Sequence, residues 1–260
     1  MADLSAAVAD VAREAGALAL SRWGTGFDTG AKPDGSVICA VDLEVDRFLH
    51  ARLGALDPEA GWLSEETADD PARLARTRVW VVDPIDGTRD YVRGREGWAI
   101  SIALVENGRP VIGVLDASAR GERWLATAGG GAWRNGARLA ASTRAELESA
   151  RVPADALAKA DRGTFTAVAK PNSIALRMAM VAAGEADLVA TLRWGNEWDI
   201  AAAALIAAEA GASVTDALGA PLVFNRNPPR AFGVLTSAPA IHAAAVERLG
   251  PRAAAAVAGG

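Results

Sequence analysis

Residues Val79 to Arg93 read Val-Trp-Val-Val-Asp-Pro-Ile-Asp-Gly-Thr-Arg-Asp-Tyr-Val-Arg, an apolar β-branched run that ends on two carboxylates. Val79 to Val82 has the composition of a buried strand. Pro84 carries no backbone N–H and disfavours helical geometry at Asp83, so the strand is expected to stop there and the chain to turn. Asp83 and Asp86 then flank the turn and can aim their oxygens at one point. Their repulsion makes this costly unless a proton or a cation lies between them. Mg²⁺ suits such a place, because it takes oxygen ligands and commonly bridges carboxylates to the oxygens of a phosphate. The Ile85 carbonyl is a further candidate ligand, and Gly87 and Thr88 offer backbone N–H groups and a hydroxyl to an anion. Every residue of Asp-Pro-Ile-Asp-Gly also favours a plain turn, so the motif needs support from elsewhere in the chain.

That support has to come from a soluble-type chain. With 260 residues, 51% of them hydrophobic, the protein can bury a large core. A net charge of −5 with no basic block argues against nucleic acid or anionic membranes as partners. Cys39 is the sole cysteine, which excludes an intramolecular disulfide and a thiolate metal cage. His50 and His242 lie far apart and carry no chemistry in this reading. The N-terminus lacks secretory features and no apolar run spans a bilayer, so the cytoplasm is the expected location.

In chain order, Leu4, Val8, Val11, Ala15 and Leu18 predict a helix to about Trp23, followed by a loop from Gly24 to Gly35 that carries Lys32. Val41, Val45, Phe48 and Leu49 predict a second helix with Asp42 in its first turn, where the helix dipole favours a negative charge. Gly61 to Ser64 reads as a strand running into Glu65-Glu66. Beyond the central motif come strands Trp98 to Val105 and Val111 to Leu115, joined by Asn107-Gly108, then Trp124 to Thr127 and Ala132 to Arg134. The first half is therefore a meandering sheet with helices on one side. Thr143 and Glu146 resemble a capping box opening a short helix, and the boundary between a lobe at 1–140 and one at 141–260 is placed nearby. The second half alternates: strand Phe165 to Ala169, helix Ile174 to Ala183, strand Asp187 to Leu192, helix Trp198 to Ala210 with Asp199 in its first turn, strands at Val214-Thr215 and Phe232 to Thr236, and a helix from Ile241 to Leu249 before a frayed alanine-rich tail.

Four acidic stations thus sit at element ends: Asp42, Glu65-Glu66, Asp83 with Asp86, and Asp199. Together with Ala-Val-Asp at 40–42, Ser-Glu-Glu-Thr at 64–67, Asp-Pro-Ile-Asp-Gly-Thr at 83–88 and Trp-Asp-Ile-Ala-Ala at 198–202, they resemble the inositol monophosphatase superfamily of Mg²⁺-dependent phosphatases. The resemblance implies an α/β fold, a layered α/β/α/β/α sandwich, and a homodimer acting on a small phosphorylated substrate. It implies two or three Mg²⁺ ions per site, one held by Glu65, Asp83 and the Ile85 carbonyl, a second by Asp83, Asp86 and Asp199. Gly87 and Thr88 would hold the phosphate. A water activated by the cation would lose its proton to Thr88 backed by Asp42, or to Glu65. Ser64, Ile38, Cys39 and Asp90 depart from the usual pattern, and no glutamate stands where inositol phosphatases read the inositol ring. Lys32, Arg177 and Glu197 resemble the branch that converts 3′-phosphoadenosine 5′-phosphate to AMP. The histidinol-phosphate and inositol-1-phosphate branches are alternatives, with Asp90 and Arg193 as further selectivity residues. A non-catalytic regulatory copy would show a lost metal ligand, and none is lost.

Overall fold

The computed structural model describes residues 2–26, 29–31, 37–155 and 157–258. Two helices, α1 (Ala2–Arg22) and α2 (Ala40–Leu56), form one outer layer. Between them β1 (Thr29–Ala31) pairs antiparallel with β2 (Val37–Cys39), so part of the expected loop is a short hairpin. Lys32 lies outside the described residues.

The second layer is a seven-stranded sheet in sequential order: β3 (Gly61–Ser64), β4 (Arg78–Asp86), β5 (Ala99–Glu106), β6 (Arg109–Ala117), β7 (Glu122–Thr127), β8 (Gly131–Arg134) and β9 (Ala137–Arg138). Only β3 and β4 pair in parallel. The turns follow the residues: Asn107-Gly108 and Asn135-Gly136 have φ of 50°, 77°, 50° and 81°, the left-handed pair that a tight hairpin requires. Side chains alternate across β4. Trp80 and Val82 pack with α1 and α2, while Val79 and Val81 face the opposite way. Both faces of this strand are covered, which is why it reads as an unbroken apolar run.

A third layer covers that opposite face: α4 (Ile174–Ala182) and α5 (Ala201–Glu209) pack on each other and on the sheet. One short helix, α3 (Thr88–Val92), precedes them at the end of β4. The fourth layer holds β12 (Leu188–Asn196), β14 (Arg230–Ser237) and β13 (Ser213–Thr215) in that spatial order, beside a parallel pair, β10 (Ala150–Pro153) and β11 (Phe165–Val168). Helix α6 (His242–Ala258) closes the stack through Ala245 and Leu249. The expected α/β/α/β/α sandwich is the observed one.

Several local expectations are corrected. The central strand does not stop at Asp83: β4 continues to Asp86, with a bulge between Asp83↔Ser101 and Asp86↔Ala99. Pro84 falls inside the bulge, where its missing N–H breaks no ladder bond. No helix forms at 143–146. Arg144 donates instead to the carbonyls of Glu146 and Glu148, and Ser142 Oγ is engaged with Asp187. Asp199 stands just ahead of α5, not within it. The C-terminal tail continues α6 to Ala258, anchored where Ala253 packs with Ala217 and Phe232.

Candidate metal and phosphate centre

The acidic stations converge at the rim of the large sheet, where β3 and β4 end beside the N-termini of α4 and α5. Carboxylate oxygens of Glu65, Asp83 and Asp199 all lie within 4.8 Å of one another. These come from three distant segments. Glu65 follows β3, its amide donating to the Val82 carbonyl at 3.3 Å. Asp83 is 1% exposed and accepts from the Ile85 amide at 3.0 Å across the bulge. Asp199 is held by the Asn196 amide at 3.3 Å.

Burial and mutual repulsion dominate the electrostatics. Asp83 is pushed well above the usual carboxylate range, first by burial and then by Glu65, Asp86, Asp199 and Asp42. Asp199 is raised in the same way by burial, Asp86 and Glu65. Such a cluster is the arrangement that a hard cation relieves, and the donor set is entirely oxygen. Ligand bonds of about 2.1 Å place neighbouring oxygens of an octahedral Mg²⁺ shell about 3 Å apart and opposite ones about 4 Å apart, so the cluster, whose oxygens lie within 4.8 Å of one another, would tighten around a bound ion.

Asp86 is more occupied than expected. It takes Ser173 Oγ at 2.5 Å and the Ala175 amide at 2.8 Å on one oxygen, with the Ile174 amide at 3.4 Å on the other. It thus ties β4 to the start of α4, while still lining the cleft. Burial pushes it up to about 6 against these hydrogen bonds. Asp42 lies behind the cluster as the third residue of α2, accepting from the Cys39 amide at 2.7 Å. Burial, opposed by Cys39 and assisted by Glu66 and Glu65, pushes it up to about 7. Thr88 Oγ donates to the Ile85 carbonyl at 3.0 Å and makes no direct bond to Asp42.

These shifts fix a sign for the pH dependence of the metal-free protein. Asp42 and Asp86 rise from an unfolded value near 3.8, so above that pH the folded state keeps protons that the unfolded chain has lost. Their stabilising contribution is complete below pH 4 and disappears as pH rises through about 6 to 7. A thermal melt in chelator should show Tm falling between about pH 4 and pH 7. A Tm that climbs across that interval would mean that the carboxylates are ionised and already compensated.

The cleft is lined by Glu65, Asp83, Asp86 and Asp199, by Gly87, Thr88 and Arg89, and by Asn172, Ile174, Arg177, Arg193 and Asn196. Gly87, with φ of 97°, is the N-cap of α3, whose first amides have no acceptor inside the helix. Arg177 donates to the Asn172 carbonyl at 2.7 Å and the Ser173 carbonyl at 3.2 Å, which stations its guanidinium at the cleft wall.

Two expected selectivity residues are elsewhere. Glu197 is 1% exposed and turned from the cleft, accepting from the Asn225 and Arg226 amides at 2.6 and 2.9 Å. A buried carboxylate goes where N–H donors satisfy it. Asp90 accepts from the Asn172 amide at 3.0 Å and so fastens the 172 loop. Asn172, Ser173, Arg89 and Asn196 were not foreseen. Ser173 had a signal, since a serine directly before an apolar periodic segment marks a helix start.

A profile of the inositol monophosphatase family matches residues 1–257. The chain belongs to the inositol monophosphatase family. It is 33% identical over 216 residues to the fructose-1,6-bisphosphatase/inositol-1-monophosphatase of Thermotoga maritima, covering 80% of this chain and 82% of that one. Histidinol-phosphatase of Mycobacterium tuberculosis is 34% identical over 227 residues, covering 82% and 85%. The 3′(2′),5′-bisphosphate nucleotidase of Escherichia coli is 32% identical over 210 residues, covering 75% and 82%. A solved Thermotoga maritima inositol monophosphatase superposes with a TM-score of 0.83 at 30% identity, covering 94% of this chain and 95% of that one. These inositol monophosphatase relatives are named phosphatases or nucleotidases, and this chain is an enzyme of that class. The family is generally metal-dependent, and Glu65, Asp83 and Asp199 form a cluster able to hold a metal. Among the described residues no helix is long and apolar enough to cross a membrane.

Proposed function

We propose that the protein is a Mg²⁺-dependent phosphomonoesterase whose best substrate is adenosine 3′,5′-bisphosphate, hydrolysed to AMP and phosphate. The observation that carries the substrate choice is the pairing of Arg177 and Arg193 on the wall of the carboxylate cleft, while Glu197 and Asp90 are spent on backbone amides outside it. Histidinol phosphate brings an amine, and the acids that would have met it point elsewhere. Inositol 1-phosphate brings neutral hydroxyls. A second phosphate gives two guanidiniums something to bind, and groups placed to bond a particular substituent discriminate far better than an apolar wall.

In this reading Glu65, Asp83, Asp86, Asp199 and the Ile85 carbonyl hold the metal ions. Mg²⁺ held there would supply Lewis-acid chemistry toward a water and the leaving oxygen. The chain's own part is positioning. Amides at Gly87 and Thr88 cradle the phosphoryl oxygens, and the 141–260 half contributes Arg177, Arg193 and Asp199 to a site begun by the 1–140 half. Thr88 donates its own hydrogen to the Ile85 carbonyl, which leaves its oxygen lone pairs free to accept a hydrogen bond from the attacking water and so orient it. Asp42, whose carboxyl pKa burial raises in the metal-free protein, and Glu65 are the two carboxylates offered as proton acceptors.

The test is kcat/KM for the three substrates with saturating Mg²⁺. A preference of about tenfold or more for adenosine 3′,5′-bisphosphate is expected, and the same margin for either monophosphate would overturn the choice. The homodimer implied by family resemblance belongs to the same reading, and a monomeric mass by light scattering at micromolar concentration would remove it.

A further inference from the structure

Arg73 lies outside the cleft, in the 3₁₀ turn Pro71–Ala75 that follows the Glu65 segment, and is 2% exposed. Its guanidinium forks Asp69 at 2.6 and 2.9 Å. It also donates to Asn225 Oδ1 at 2.6 Å and to the Arg226 carbonyl at 2.9 Å. Glu197 meets the same two residues, taking their amides at 2.6 and 2.9 Å. A buried cation and a buried anion therefore grip one short stretch of chain, the cation by its oxygens and the anion by its N–H groups. Asn225 completes the arrangement, with Nδ2 on the Arg73 carbonyl at 3.3 Å and a left-handed φ of 62°. Strand β3 makes room for it: a Cβ on Gly61 would sit 2.9 Å from Arg73 Cβ.

The grip bears on the metal cluster through Glu197. Its carbonyl accepts from the Ile200 and Ala201 amides at 3.2 and 2.9 Å, closing the turn that presents Asp199. Among the described residues the Asp199 side chain takes only the Asn196 amide, at 3.3 Å. Glu65 and Asp83, by contrast, are fixed to β4.

We propose that Arg73, acting through Asn225, Arg226 and Glu197, is a positioning residue that sets the distance from Asp199 to Glu65 and Asp83, and thereby the affinity for the divalent cation. This rests on the metal reading above. Groups that orient metal ligands typically change affinity by about 10- to 100-fold when altered.

The test is the Mg²⁺ concentration giving half of the Mg²⁺-induced rise in Tm. Arg73→Lys keeps the charge and loses the fork. Asn225→Gly removes only side-chain contacts, since glycine suits that φ. Arg151→Lys is the control, breaking a comparable fork onto buried Asp187 in a different cleft. Both test variants are expected to raise the midpoint about tenfold, with the control unmoved whatever its own Tm, and activity should return as Mg²⁺ is raised. An unchanged midpoint in the test variants overturns the positioning role, and Asn225→Gly decides alone if Arg73→Lys does not fold. A wild-type protein showing no Mg²⁺-dependent shift overturns the metal reading itself, and the positioning role with it.

Discussion

Asp83→Asn is expected to abolish phosphatase activity, by about three orders of magnitude or more in kcat, while the metal-free protein keeps or gains stability. The two halves of that result have one cause. Asp83 is buried among Glu65, Asp86, Asp199 and Asp42, all of which raise the cost of its charge. An amide of the same shape removes that cost and can still accept from the Ile85 amide. What it cannot do is neutralise a cation shared with Glu65 and Asp199. Activity retained at saturating Mg²⁺ would defeat the assignment, and a large drop in Tm would show that Asp83 is a structural group first.

Gly87→Ala should act in the opposite sense, on fold and function together. Its φ of 97° already disfavours any side chain, and an added Cβ would lie 2.6 Å from the Gly97 carbonyl and 2.9 Å from the Ser173 amide. Neither neighbour can yield easily, because the Ser173 amide donates to the Gly97 carbonyl at 2.8 Å. A loss of about 2 to 4 kcal/mol follows from strain plus overpacking, or about 5 to 12 °C in Tm for a protein of this size. Turnover should fall as well, since the amides ahead of α3 would be displaced from the phosphoryl position. Unchanged Tm and kcat would mean that the turn relaxes freely and is no rigid cradle.

The frame of the molecule was legible because its signals are local. Alternation and Asn-Gly turns marked the hairpins of the large sheet, and the ends expected for α4 and α5 fall where Gly184 and Gly211, with φ of 67° and 92°, take the left-handed conformation that closes a helix. The carboxylates were legible because hard-cation chemistry leaves few choices of residue. Directions of side chains were not. Glu197 and Asp199 are two positions apart with the same charge, yet one faces Arg226 and the other the cleft, and only the turn between them decides which. Likewise Thr143 and Glu146 carried a helix signal that Arg144 cancelled by taking the carbonyls of Glu146 and Glu148. That contact is local but depends on a side-chain direction, while the Asn225 and Arg226 amides that capture Glu197 lie 28 and 29 residues away and leave no trace in spacing.

Helix α5 is buried along every residue from Ala201 to Ala207, and Gly113 on β6 approaches so closely that a Cβ there would lie 2.6 Å from the Ala202 carbonyl. Most of its side chains are single methyl groups, so the helix works as a shim of fixed thickness between two sheets. Its volume sets how near the layer bearing Asp199 can settle to the layer bearing Asp83. A bulky residue at Ala202 or Ala203 would then be felt twice, as overpacking of a fully buried helix and as a misfit at the carboxylate cluster one turn away.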